Sequence, residues 1–129
     1  MNTDFKFKKA ERIVSKKTID DLFSGTGSQS LVAFPIRAVY KTYVSTLHLP
    51  PSTFLVSVPK RRFKHAVDRN RIKRQVREAY RHHKSVVVDR LPQGQTLSIA
   101  FIWLSDDHFP SAVIDKRIQS LLKRIADCL

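Results

Sequence analysis

The chain has 129 residues, 42% of them apolar, which predicts a single domain over residues 1–129. Its single cysteine, Cys128, excludes an internal disulfide. Twenty-four Lys and Arg against eleven Asp and Glu leave a net charge of +13, and these positive side chains repel one another in a small domain. The excess indicates a polyanionic partner, for which nucleic acid is favoured over an acidic membrane surface. No apolar run approaches the roughly 20 residues of a membrane-spanning helix and the charged N-terminus is unlike a signal peptide, so we expect a cytoplasmic protein with no membrane attachment.

The first half of the chain predicts one short helix followed by strands. After the basic leader FKFKKAERIVSKK, the stretch SKKTIDDLFSG predicts a helix that Ser15 caps and that Gly25 ends, just after Phe23. LVAFPIRAVYKTYVSTLHL is rich in β-branched and aromatic residues and predicts strand, with Pro35 at a strand start, an edge or a bulge. TFLVSV predicts a buried strand that ends before Pro59.

The second half predicts helix, strand and helix. A basic connection, KRRFKHAV, leads into the helical stretch DRNRIKRQVREAYR, and after the turn LPQGQ the run TLSIAFIWL predicts a central strand. The last segment has apolar residues at helical spacing, namely Ala112, Ile114, Ile118, Leu121, Leu122 and Ile125. This order predicts a two-layer α+β sandwich and leaves strand pairing and crossover handedness open.

The stretch DRNRIKRQVREAYR separates its apolar and basic residues around the helix. With about 100° between successive residues, one third of the circumference carries the predicted core face, Ile72, Val76, Ala79 and Tyr80. The adjacent arc holds five cations, one amide and no acid, and we call it the basic strip: Arg69, Asn70, Lys73, Arg74, Arg77 and Arg81. Arg71 and Glu78 fall off this arc, and Asp68 is predicted to be the N-cap.

The charges of the basic strip favour a nucleic-acid surface over an ordinary solvated helix face. A solvated face usually pairs opposite charges four residues apart, whereas Arg69–Lys73, Lys73–Arg77 and Arg77–Arg81 are like-charged, which weakens a helix by a few tenths of a kcal/mol per pair. We expect nothing inside the helix to offset that cost. Arginine, which dominates the strip, suits phosphates and stacking on bases. Eleven Lys or Arg lie between Lys60 and Lys84, against two acids.

The basic helix also carries a family resemblance. Arg69-Asn70-Arg71 followed by Ile72-Lys73-Arg74 resembles the RNR motif of the bacterial ribonuclease P protein component. SVPKRRFKHAVDRNRIKR is similar to that family's strand, lysine-rich turn and helix start, FKKAERIVSKKTIDDLFSG to its N-terminal stretch, and TLSIAFIWL to its late hydrophobic strand. The resemblance covers nearly the whole chain, and it implies an αβββαβα sandwich with a left-handed crossover into the basic helix.

The same resemblance implies a function. Members of the family bind a large catalytic RNA and form a 1:1 ribonucleoprotein in which the protein is a monomer. The RNA removes the 5′ leader of precursor tRNA and uses Mg²⁺ that is held mainly by the RNA. By position, it implies contacts to the catalytic RNA at Arg69, Asn70, Arg71, Lys73, Arg74 and Arg77. It implies contacts to the precursor leader at Phe23, Tyr40, Lys60 and Arg61. It implies no catalytic side chain and no metal ligand in the protein.

Two alternative functions and several alternative residue roles stay open. The chain could be a general RNA-binding module, or a protein nuclease that needs no RNA. Against the nuclease, His82 and His83 point about 100° apart on a helix with no acidic cluster nearby, and Cys128 has no evident base. Phe23 and Tyr40 could be core residues, and Trp103 is predicted to be one.

Overall fold

Four strands and three helices make up the part of the chain that the computed structural model describes, residues 27–44 and 52–129. In chain order they are β1 (Gln29–Ala33), β2 (Ile36–Val44), β3 (Ser52–Ser57), α1 (Ala66–His83), α2 (Ser85–Val88), β4 (Gln95–Trp103) and α3 (Ser111–Asp127). This confirms the predicted α+β class. The predictions for the basic leader, the first helix and Phe23 lie outside the described residues.

The strands form one sheet in the order β1-β2-β4-β3, so β1 and β3 are its edges. TLSIAFIWL is confirmed as a central strand, because β4 pairs antiparallel with β2 and parallel with β3. Neighbouring parallel strands need a crossover connection, and here it carries α1 and α2. The left-handed sense of that crossover stays a prediction. Pro35 precedes β2 directly, in the turn that separates it from β1.

The strand register divides the sheet side chains between two faces. The first face packs against the helices and carries the largest buried strand residues, Ile36, Phe54, Leu97, Ile99, Phe101 and Trp103. The second face carries the alternate residues, among them Arg37, Val39, Lys41, Tyr43, Thr53, Thr96, Ser98 and Ala100. On that face the hydroxyl oxygens of Thr53 and Ser98 are 2.8 Å apart in a hydrogen bond. Trp103, at 2% exposure, is confirmed as a core residue.

The apolar faces of α1 and α3 complete the core. Ile72, Val76, Ala79 and Tyr80 are all buried, which confirms the predicted core face of the basic helix. Burying each of its large side chains contributes about 1.5–3 kcal/mol. The Tyr80 hydroxyl donates a hydrogen bond to Oγ of Ser52 at 2.9 Å, which ties α1 to β3. The C-terminal helix is confirmed as well, except that Ala112 is exposed.

Helix α1 begins earlier than the sequence indicates. Its N-cap is His65, which makes no side-chain cap, and the backbone N–H of Arg69 already bonds to the His65 carbonyl at 3.3 Å. The prediction that Asp68 caps the helix is therefore wrong: Asp68 lies inside the first turn, where a carboxylate interacts favourably with the helix dipole. The helix ends at His83, and the short α2 follows, burying Val87.

Candidate nucleic-acid interface

One flank of α1 is occupied by contacts with α3 and with the connection before it. Along this flank, the carboxylate of Asp68 lies 3.1 Å from Nε2 of His108. Two helical turns further along α1, the Gln75 amide donates to the Phe109 carbonyl at 3.2 Å and to Oγ of Ser111 at 3.0 Å. Near the end of the helix, Nε2 of His83 lies 3.0 Å from both carboxylate oxygens of Asp115. This flank is therefore closed to a partner.

The basic strip lies on the opposite flank of α1. Because α1 packs over β3 while α3 packs over β1 and β2, the strip faces the β3 edge of the sheet. Asn70, Arg71 and Arg74 are exposed, and Arg69, Lys73 and Arg77 are half-buried. The helix thus brings five of the six residues predicted to contact the catalytic RNA onto one flank, and Arg71 lies apart from them on the back.

The acids of α1 leave the middle of the basic strip without a counter-charge. Arg81 donates two hydrogen bonds to the Glu78 carboxylate, which hold the pKa of Glu78 below its ordinary value. The expectation that nothing inside the helix offsets the like charges is therefore wrong at this end of the strip. The side chains of Asn70, Arg71, Lys73 and Arg74 make no hydrogen bond or ion pair to any other described residue. Their polar groups remain available to phosphates.

Arg69 behaves differently from the rest of the strip. Its Nη1 donates hydrogen bonds to the backbone carbonyl of Phe63 at 2.8 Å and to that of Lys64 at 3.0 Å. The side chain thus turns back over the start of α1, toward the segment that precedes it. Three further guanidinium N–H groups are left for another partner.

The turn before α1, residues 59–65, adds further cations beside the helix start. Lys60 and Arg61, predicted to lie near the leader, are both exposed, and so is Lys64. The turn is closed by a hydrogen bond from the Arg62 backbone N–H to the Pro59 carbonyl at 3.0 Å. These cations extend the positive surface of α1 beyond the helix itself.

Tyr40 lies on the helix side of the sheet, which does not favour its predicted contact with the leader. The ring is part of the main core, with 5% of the residue exposed. Burial raises the pKa of Tyr40 to about 12, and the neighbouring Cys128 thiol adds to the effect. The same strand places Lys41 and Tyr43 on the second face, with Nζ 5.2 Å from the ring centroid. The predicted leader contacts do not include this pair, although the period-two alternation from Ile36 places both side chains on the face opposite Tyr40.

The described residues contain no group of three or more His, Cys, Asp or Glu that could hold a metal ion. Within residues 27–44 and 52–129, no helix is long and apolar enough to cross a membrane. Cys128 is exposed near the end of α3. The chemistry that this part of the chain offers is therefore that of cations, amides and aromatic rings.

A basic helix flank and a basic turn lie together at one edge of a two-layer sandwich of helices on a sheet. This arrangement defines a class of small α+β proteins with a surface suited to polyanions. The family model for ribonuclease P matches residues 7–126. The ribonuclease P protein component of Porphyromonas gingivalis strain W83 is 40% identical over 123 residues, covering 95% of this chain and 88% of that protein. The chain therefore belongs to the ribonuclease P protein component family.

Solved structures show the same fold. The RNase P protein of Thermotoga maritima superposes with a TM-score of 0.68 at 22% identity, over 88% of this chain and 96% of that one. The RNase P protein of Staphylococcus aureus gives a TM-score of 0.68 at 22% identity, over 91% and 96%. Apart from the one-turn helix α2 between α1 and β4, the order β1-β2-β3-α1-β4-α3 agrees with the predicted αβββαβα sandwich in the part of the chain that the structure describes.

Proposed function

We propose that this chain is the protein subunit of ribonuclease P, which binds the catalytic RNA and the 5′ leader of precursor tRNA and promotes endonucleolytic removal of the leader. The observation that carries the proposal is the RNR segment on α1: Asn70, Lys73 and Arg74 lie on one flank, and no described acid pairs with them. Membership of the family supports a role in tRNA processing.

Electrostatics supplies the physical reason for such a subunit. A catalytic RNA and a precursor leader are both polyanions, so their phosphates repel when they approach. A protein with a net charge of +13 screens that repulsion and releases counterions from the phosphates it contacts. Because only the precursor carries a leader, leader contacts favour precursor over mature tRNA.

In this proposal, one group of predicted residues contacts the catalytic RNA and the other lies near the leader. Asn70, Lys73, Arg74 and Arg77, on the flank of α1, contact the catalytic RNA, with Arg71 from the back of the helix. Lys60 and Arg61, in the turn before α1, lie near the leader. Phe23 stays a prediction for the leader, since it lies outside the described residues.

The second face of the sheet offers a better leader contact than Tyr40. Tyr43 lies beside Lys41, and an aromatic ring next to a cation is the arrangement that single-strand binders use to stack a base and hold its phosphate. We therefore add Lys41 and Tyr43 to the proposed leader-binding residues, in place of the buried ring of Tyr40.

The protein's part in the reaction is binding and orientation. Mg²⁺, which we place mainly on the RNA, supplies the activation of water and the stabilisation of the leaving oxygen in phosphodiester hydrolysis. The cations of this chain hold the RNA and the leader in register, which lowers the metal concentration at which the RNA acts. We propose a monomer that forms a 1:1 ribonucleoprotein.

The deciding experiment adds the protein to a bacterial ribonuclease P RNA at limiting Mg²⁺ and measures 5′ cleavage of precursor tRNA. We expect a clear gain in cleavage over RNA alone, and no gain would refute the proposal. Protein incubated with Mg²⁺ and no RNA subunit tests the nuclease alternative, and cleavage there would support it. Equal affinity for precursor and mature tRNA would support a general RNA-binding module instead.

A further inference from the structure

One guanidinium nitrogen of Arg69, Nη1, donates hydrogen bonds to the protein's own backbone. The two hydrogens of Nη1 go to consecutive carbonyls, Phe63 at 2.8 Å and Lys64 at 3.0 Å. An interaction used only to present positive charge to RNA needs no such contact. The geometry instead resembles a clamp that joins the second turn of α1 to the segment before the helix.

The clamped turn is held at two more points. The ring of Phe63 is 9% exposed and packs against the imidazole of His108, with centroids 4.8 Å apart. Nη1 of Arg62 lies 3.3 Å from the Asp106 carboxylate. Both partners belong to the loop that follows β4. The backbone of the turn is thus fixed from two directions, by α1 and by this loop.

We propose that Arg69 is a positioning residue: it fixes the turn of residues 59–65 so that Lys60, Arg61 and Lys64 form a preordered extension of the basic strip. The proposal rests on the proposed function for the identity of the polyanion as RNA. Preordering matters because immobilising flexible cationic side chains and their loop on binding costs free energy, which weakens affinity. Because Arg69 holds the backbone of the turn, it removes the part of that cost that belongs to the loop before the RNA arrives.

A charge-conserving substitution separates positioning from charge. Arg69→Lys keeps the positive charge, but lysine ends one bond short of the arginine terminal nitrogens and carries a compact, strongly hydrated ammonium. It is therefore a poor bridge between two carbonyls. Arg74→Lys is the matched control, because Arg74 is exposed, pairs with no other described residue and undergoes the same change. If only charge matters, the two variants behave alike.

The first measurement uses the free protein and no RNA. Trypsin cleaves after Lys and Arg, so both variants keep every cleavage site of the parent chain, and mass spectrometry of timed digests resolves the rate at each site. We expect Arg69→Lys to be cut after Lys60, Arg61 or Lys64 about 3–10 times faster, because local opening exposes the turn. Arg74→Lys should be cut there at the parent rate. Equal rates in all three proteins would overturn the clamp.

The second measurement asks whether Arg69 acts through the turn when RNA binds. Each chain is assembled with a bacterial ribonuclease P RNA, and the affinity for a precursor tRNA with its 5′ leader is measured at one salt concentration. The chains compared are the parent, Arg69→Lys, the turn variant Lys60→Ala/Arg61→Ala/Lys64→Ala, and their combination. We expect Arg69→Lys to weaken binding about 3–10-fold in the parent and to have no effect in the turn variant. The dependence of log affinity on log salt should keep its slope in Arg69→Lys.

The outcomes distinguish the two proposals. Additive losses in the cycle mean that Arg69 contacts RNA on its own, which would overturn the positioning role. A parent chain that binds no ribonuclease P RNA refutes the proposed function, while the tryptic rates still decide whether Arg69 fixes the turn. Circular dichroism of each variant confirms that the fold is retained.

Discussion

The carboxylate of Asp68 and Nε2 of His108 lie 3.1 Å apart, across 40 positions of sequence. Asp68 belongs to the first turn of the basic helix, and His108 to the loop between β4 and α3. The same imidazole packs on the ring of Phe63, just before the helix. One pair thus connects the start of the basic helix α1, the basic turn before it and the loop that follows β4.

Removing the carboxylate of this pair should loosen the start of α1. For Asp68→Ala we expect a loss of about 1–2 kcal/mol in the free energy of unfolding, from the hydrogen bond and from the favourable dipole interaction of an acid in the first turn. Urea denaturation measures it. The double variant Asp68→Ala/His108→Ala should lose less than the sum of the single variants, and strict additivity would contradict a direct contact.

The two cations in the middle of the strip, Lys73 and Arg74, should contribute to the salt dependence of RNA binding. If each of them contacts one phosphate, as proposed, Lys73→Ala/Arg74→Ala should lower the slope of log affinity against log salt by roughly 1.4–1.8. Filter binding of ribonuclease P RNA across a salt series measures it. Lys116→Ala/Lys123→Ala, at exposed positions of α3, removes the same charge as a control. Equal slopes for the two double variants would place the RNA elsewhere.

A charge on the core face of α1 should unfold the domain, whereas one on its back should not. Ile72 is completely buried, so Ile72→Asp loses the apolar contacts and buries an unpaired carboxylate, for an expected loss of more than about 4 kcal/mol. Arg71→Asp introduces the same residue one position earlier, where the side chain is exposed, and should cost within about 0.5 kcal/mol. Thermal melts compare the two. Similar melting temperatures would contradict the assigned faces.

Tyr40 should make the folded state sensitive to alkali. Its pKa is raised to about 12 from an ordinary value of 10.0, so the unfolded chain releases the phenolic proton first. The contribution to stability is complete below pH 10.0 and declines as pH rises from 10.0 toward about 12.

The tyrosinate absorbance is titrated with alkali in the parent chain and in Tyr40→Phe. The difference between the two curves reports the ionisation of the Tyr40 phenol alone. The difference should rise near pH 12 while the protein stays folded. A midpoint near 10.0 would show that the ring is solvated, as a leader contact would be.

The spacing of apolar residues and the residue composition predicted most of the helices and strands, because both depend only on residues within the same helix or strand. The core face of α1 follows from apolar residues at helical spacing, and Ile72, Val76, Ala79 and Tyr80 are all buried. TLSIAFIWL is apolar at every position but two, which is typical of a strand covered on both sides, and β4 is central. Tyr40 was assigned by resemblance alone, against the alternation of its own strand.

The remaining features depend on residues distant in sequence. Asp68 resembles a cap in isolation, yet its partner is His108, and the helix begins two residues before it. Nothing local shows that Arg69 bonds back to Phe63 and Lys64 or that α3 covers one flank of α1.

The sequence by itself determined the α+β class, the apolar and basic arcs of α1 and the family, since these follow from residue order and helical geometry. Only the tertiary structure decided which flank of α1 stays open beside the β3 edge and which cations are committed to the backbone. The reason is physical: the exposure of a charged side chain depends on what packs against its helix, and that partner lies elsewhere in the chain.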